Sequence, residues 1–144
     1  MMDVKQLVPQ FTFLGVDPGS SKTGLALVDV LGCIHKLCIA RSGSFDEDVI
    51  SFCREANVVA VVLGNGTHST AVAEKIAKIL PRLPRYMVDE AHSTEAARAL
   101  YWRENPPKGW RRLVPLGLLV PQEPLDAYAA VIQVRRWLNE QYKE

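Results

Sequence analysis

The sequence predicts a mixed α/β fold, one sheet with helices on both faces, from three observations. Residues 11–40 hold three short strand-like runs with only tight turns between them. Beyond them, apolar β-branched runs alternate with stretches of helical periodicity. Two runs, residues 11–16 and 58–63, are apolar almost throughout, the pattern of strands covered on both sides. The predicted order is strand, strand, strand, helix, strand, helix, strand, helix, helix. That gives a mixed five-stranded sheet whose first three strands form an antiparallel meander.

Each element has its own signal. Residues 11–16, polar only at Thr12, make the first strand. Residues 23–30 and 33–40 make the second and third, with Gly32 between them suited to a tight hairpin turn. Ser44-Phe45-Asp46-Glu47 matches a capping box, in which Ser44 and Glu47 satisfy each other's backbone donors. Val49, Ile50, Cys53 and Ala56 follow at helical spacing. Residues 58–63 read as a buried parallel strand stopping at Gly64. A helix over 70–80 carries Val72, Ala73, Ile76, Ala77 and Leu80 on one stripe and is ended by Pro81 and Pro84. Residues 85–88 form a short fifth strand. Ser93 or Thr94 suits the cap of a helix that stops near Glu104, before Pro106-Pro107. Residues 105–121 read as a loop with a short apolar segment. The last helix is expected to begin near Pro124, since proline suits a first helical position. It runs through Ala127, Ala130, Val131, Val134 and Leu138 to about residue 141.

The chain has 144 residues, the length of one domain, with residues 1–10 expected to be a flexible N-terminal segment. A net charge of +1 excludes a globally basic protein, so any nucleic-acid contact must come from a local patch. The three cysteines, Cys33, Cys38 and Cys53, show no paired spacing and are expected to be buried free thiols in a reducing cytoplasm. No apolar run reaches the ~20 residues that span a bilayer, and residues 1–10 lack the apolar core of a signal peptide. A cytoplasmic protein with no membrane partner is the expectation.

Three motifs place acids at element ends. In Gly15-Val16-Asp17-Pro18-Gly19-Ser20-Ser21-Lys22-Thr23-Gly24, Asp17 closes a central strand and faces a glycine-rich turn. Gly19 and Gly24 let backbone approach a ligand, so Asp17 could hold a hard cation beside a phosphate. The same residues also suit an Asp-Pro-Gly turn that opens a hairpin. In Val88-Asp89-Glu90-Ala91, strand alternation allows only one of Asp89 and Glu90 to face a shared site while the strand continues. In Glu123-Pro124-Leu125-Asp126, the two acids are three apart and share a face at a helix start. Acids at helix N-termini also simply complement the dipole. Taken as a set, they suit phosphodiester hydrolysis with two metals about 3.5–4 Å apart, which needs convergent carboxylates.

Two further stretches suit a nucleic acid. Gly64-Asn65-Gly66-Thr67 follows the fourth strand, where ligands bind in open α/β sheets, and Asn65 and Thr67 offer neutral donors. Lys108, Trp110, Arg111 and Arg112 combine phosphate-binding cations with an indole on which bases stack. Either stretch also reads as an ordinary solvated loop.

Gly15-Val16-Asp17-Pro18-Gly19-Ser20 with Thr23-Gly24 resembles the opening strand and turn of the RuvC-type Holliday junction resolvases. Val88-Asp89-Glu90 with Ser93-Thr94 resembles the Asp-Glu element of the related YqgF family, and Asp126-Ala127 before an apolar helix resembles the C-terminal catalytic helix of both. Gly64-Asn65-Gly66-Thr67 is similar to a turn of YqgF-like domains in transcription accessory proteins. The resemblance implies a ribonuclease H-like fold and Mg²⁺- or Mn²⁺-dependent cleavage of branched DNA or of precursor ribosomal RNA. It implies Asp17, Glu90 and Asp126 as catalytic metal ligands, with Glu123 where the resolvases carry an extra aspartate. Lys22, Arg111 and Arg112 would meet the phosphate backbone, and a junction resolvase would act as a homodimer. The chain departs from the pattern twice. The resolvases place an acid after the fourth strand, where this chain has Gly64-Asn65, and YqgF proteins place an arginine after Asp-Glu, where it has Ala91. A non-catalytic nucleic-acid-binding module and an actin-like nucleotide-binding domain are the rival readings.

Overall fold

The computed structural model describes residues 11–142, so the expected flexible segment 1–10 lies outside the described residues. Five strands build one sheet: β1 (Thr12–Asp17), β2 (Lys22–Asp29), β3 (Ile34–Arg41), β4 (Val58–Gly64) and β5 (Arg85–Val88). Their spatial order is β3-β2-β1-β4-β5. β1 and β2 pair antiparallel, as do β2 and β3. β4 runs parallel to β1 and β5 parallel to β4, as the double-sided apolar run at 58–63 predicts. Helices α1 (Phe45–Cys53), α2 (Ser69–Ile79), α3 (Ser93–Glu104) and α4 (Asp126–Gln141) complete the regular structure.

The period of two along β1 sorts its side chains between two cores. Leu14 and Val16 join Leu25, Val61 and Leu63 under Phe45, Val49 and Phe52 of α1 and Val72 and Ile76 of α2. Phe13 lies on the opposite face with Val28, Val62 and Val88, under Ala97 and Leu100 of α3 and Ala130, Val131 and Val134 of α4. Trp137 extends that core, its indole 4.7 Å from the Tyr86 ring and 5.3 Å from Phe13.

Helix α4 rests on bare backbone. A Cβ on Gly15 would overlap the Ala130 carbonyl oxygen and come within 2.7 Å of Val134 Cγ2. One on Gly24 would overlap the Asp126 carbonyl and sit 2.6 Å from the Ala127 nitrogen. Gly24, which the sequence suggests leaves backbone open to a ligand, is instead covered by this helix.

Several local signals resolve differently. The Ser44–Glu47 capping box does not form: Ser44 Oγ donates to Asp48 Oδ2 (2.8 Å), which also accepts from the Arg41 amide (3.2 Å). α3 begins directly at Ser93, after His92 in the left-handed region (φ 59°), and no side chain caps it. α4 begins at Asp126, two residues beyond Pro124. Within 105–121 two 3-10 turns form, Gly109–Leu113 and Leu116–Leu118. The cysteines are free, but Cys33 is exposed and Cys38 and Cys53 are only partly buried, correcting the expectation of buried thiols. His35, on β3, is tied into the turn before it. Its Nε2 lies 2.7 Å from Oδ2 of buried Asp29, whose Oδ1 accepts from the Leu31 (2.8 Å) and Cys33 (3.1 Å) amides and pins the β2–β3 turn. Among the described residues no helix is long and apolar enough to cross a membrane.

The contact of α4 with β2 gives a direct test. Gly24→Ala drives a methyl into the first turn of α4, a clash with backbone that no rotamer change relieves. Stability should fall by about 3 kcal/mol, read as a lower midpoint in urea unfolding with little change in slope.

Candidate functional site

Asp17 is the last residue of β1, and strand alternation turns it to the α4 side of the sheet. Its partner across the antiparallel ladder is Gly24. The Asp126 backbone lies against Gly24, so the first residue of α4 is brought beside Asp17. Asp126 carries its carboxylate there, with Oδ2 3.5 Å from Lys22 Nζ at the start of β2.

Glu90 arrives from the far side. β5 ends at Val88, in register with Gly64, so the alternation that allowed only one of Asp89 and Glu90 to face a site no longer applies. The Asn65 amide donates to the Val88 carbonyl (3.0 Å), and the Glu90 amide donates to Asn65 Oδ1 (3.3 Å). This pair of bonds turns the chain so that the Glu90 carboxylate lies over Gly64 and Gly66. A Cβ on Gly64 would be 2.7 Å from Glu90 Oε2, and one on Gly66 would overlap Oε1. Asp89 is taken up elsewhere: its Oδ1 accepts from the Ala91 amide (2.9 Å) and its carbonyl from Arg136 (2.9 Å).

These neighbours and the burial act on Asp17. Loss of hydration pushes its carboxyl up, and the charges of Asp126 and then Glu90 push it further, against a hydrogen bond from Gln133 that favours the ionised form. The outcome is a pKa raised from 3.8 to about 7. Gln133 escaped the sequence reading. Its Nε2 donates to Asp17 Oδ1 (3.0 Å), it is fully buried, and its Oε1 has no partner among the described residues. A buried orphan acceptor costs about 1–3 kcal/mol. The signal was present: Gln133 stands seven residues after Asp126, two helical turns on, between the apolar positions Ala130 and Val134.

The remaining candidates lie apart. Glu123 lines a cleft of about 530 Å³ with Tyr101, Asn105, Lys108 and Arg111, and it is not among the charges that act on Asp17. Asn65 is spent on positioning Glu90, while Thr67 is exposed. Lys108 and Arg112 are exposed, Arg112 donating to the Gly109 carbonyl (3.3 Å). Trp110 is 71% exposed, with the Arg111 guanidinium 5.9 Å from its ring centre.

The donor set suits a hard divalent cation. Asp17, Glu90 and Asp126 offer oxygens alone, and a cation would relieve the repulsion that raises Asp17. As placed, though, no three acid, histidine or cysteine side chains among the described residues stand close enough to share an ion, and Asp126 faces Lys22.

No family model and no curated protein matches the chain. Among solved structures, Thermus thermophilus RuvC is similar over 92% of this chain and 96% of its own, with a TM-score of 0.52 at 14% identity. That likeness shows the fold: a mixed five-stranded α/β architecture, in keeping with a ribonuclease H-like fold. A ROK family glucokinase from Streptomyces griseus, in complex with glucose and AMPPNP, is similar over 68% of this chain and 38% of its own (TM-score 0.42, 16% identity). A ROK family transcriptional regulator is similar over 65% and 31% (TM-score 0.46, 12% identity). The chain spans about a third of the length of these ROK proteins.

The raised Asp17 pKa predicts a pH dependence. Between about pH 4 and pH 7 the unfolded chain has released this proton and the folded one still holds it, so stability falls as pH rises through that window. Asp17→Asn is neutral at every pH and escapes the loss. Without divalent metal it should melt above wild type at pH 8, by on the order of 2 kcal/mol after discounting for partial hydration. The gap should shrink toward pH 4 in paired thermal melts.

Proposed function

We propose that this protein is a metal-dependent endonuclease of YqgF/RuvC-like type, cleaving phosphodiester bonds in structured nucleic acid. One observation carries the reading: three carboxylates from separate parts of the chain, Asp17 at the end of β1, Glu90 after β5 and Asp126 at the start of α4, crowd one end of the sheet closely enough to perturb Asp17. The full-length likeness to RuvC supports it at the level of fold.

In this reading Asp17, Glu90 and Asp126 would hold Mg²⁺ or Mn²⁺, which when bound would supply charge neutralisation at the scissile phosphate and activation of the attacking water. The chain's own groups do the rest. Asp17 ends the central strand, paired with a neighbour on each side, which holds its carboxylate in place. Lys22 neutralises Asp126 and, at the start of β2 beside the acids, would also be placed to meet a phosphate oxygen. Lys108, Arg111 and Arg112, with Trp110, offer a cationic and stacking surface for the nucleic-acid backbone and bases. Glu123 serves as a further acid only if the segment before α4 shifts. The substrate is a branched DNA junction or a precursor of small-subunit ribosomal RNA. On a junction, two copies related by a two-fold axis would place one site on each of two strands.

A specific observation favours a second reading. Gly64-Asn65 stands where the resolvases carry an acid, and the carboxylates as placed do not share an ion. A non-catalytic nucleic-acid-binding module fits those facts.

Cleavage assays separate the two. With Mn²⁺, the protein should cut a four-way DNA junction or a precursor ribosomal RNA. Asp17→Asn, Glu90→Gln and Asp126→Asn should each lower the rate by about a hundredfold or more. Binding that is indifferent to Mn²⁺ and EDTA, with no cleavage of either substrate, would establish the binding module instead.

A further inference from the structure

Gln133 is the one fully buried polar side chain of α4, on a face otherwise lined by Ala127, Ala130, Val131, Val134 and Leu138. An apolar residue would fill that place without leaving an acceptor unpaired. The amide is there nonetheless, and its contacts show where it points. Nε2 donates to Asp17 Oδ1 (3.0 Å) and presses on Gly64, where a Cβ would overlap it. The side chain therefore spans from the end of β1 to the end of β4, reaching the glycine over which Glu90 lies.

We propose that Gln133 is a positioning residue for a divalent-cation site at Asp17, fixing the rotation of that carboxylate and so setting the affinity of the site. The proposal rests on the metal reading above. A single N–H on Oδ1 fixes the carboxylate's rotation and leaves Oδ2 as the free oxygen. An amide does this without adding a fourth negative charge to three crowded acids, which a glutamate at this place would do. The unpaired Oε1 remains an acceptor for a donor that the occupied site would bring. Outer partners of this kind typically change metal affinity by ten- to a hundredfold when removed.

The test is Mn²⁺ binding by isothermal titration calorimetry on wild type, Asp17→Asn and Gln133→Met, with the metal-free melting temperature of each. Met keeps the length and volume of the side chain and removes both polar atoms. The expected result is measurable binding by wild type, none by Asp17→Asn, and a dissociation constant about 10- to 100-fold weaker for Gln133→Met. Its metal-free melting temperature should not fall. Equal affinity in Gln133→Met and wild type overturns the proposal and leaves the metal reading standing. A wild type that binds no Mn²⁺ overturns both. Where Gln133→Met does not fold, wild-type protein labelled with ¹⁵N-glutamine decides. Mg²⁺ should shift the slowly exchanging side-chain amide of Gln133, and an unmoved resonance at saturating Mg²⁺ would rule the positioning role out.

Discussion

Helix α4 lies in direct contact with the backbone of β1 and β2, and most of the candidate site's geometry depends on that approach. Helix and sheet normally stand apart by the thickness of their side chains. Here Gly15 and Gly24 remove that thickness at two points, so the α4 backbone comes down onto the strands. The approach brings the start of α4 against the ladder partner of Asp17 and carries Gln133 down to the Asp17 carboxylate. With either glycine replaced, the helix must lift and the acids separate.

The approach also sets an electrostatic conflict. Bringing Asp126 and Glu90 toward a partly buried Asp17 concentrates negative charge where water is scarce, and Asp17 answers by holding its proton up to about pH 7. Lys22 offsets the charge of Asp126 alone. Asp29 is a useful contrast within the same sheet. It is less exposed to solvent, yet it is held below the usual carboxylate range: burial pushes it up, and the His35 ring and two turn amides more than offset that. One acid is surrounded by donors and serves the fold. The other is left short of them, which is a poor arrangement for stability and a serviceable one for binding a cation.

The sequence was informative wherever one residue's neighbours are its chain neighbours. The apolar run before Asp17 placed it at a central strand end, and the run at 58–63 gave a parallel partner, because burial on both faces leaves a composition that can be read directly. It was less informative at helix starts. Ser44, Ser93 and Pro124 are all good starting residues, but Asp48 drew the Ser44 hydroxyl away, His92 turned the chain before Ser93, and α4 waited for Asp126. Glu90 could not be separated from Asp89 because the choice depends on where β5 stops. Glu123 shares a helical spacing with Asp126, but α4 begins only at Asp126, so Glu123 turns toward the cleft beside Lys108 and Arg111. Gln133 was legible only in part, for a different reason. An amide within an apolar stripe signals burial, but only the close approach of α4 says what it meets.

The Glu90 carboxylate occupies the space just beyond β4, through a gap left by Gly64 and Gly66, although it comes from the segment that follows the strand next door. Where a functional group sits in space is thus uncoupled from where it sits in the chain. Two proteins built this way can present the same charge at the same point while a residue-by-residue comparison finds glycine opposite acid. Kinship among such proteins is better sought in paired positions, a vacancy on one strand with a long acidic side chain on its neighbour, than in single matching columns.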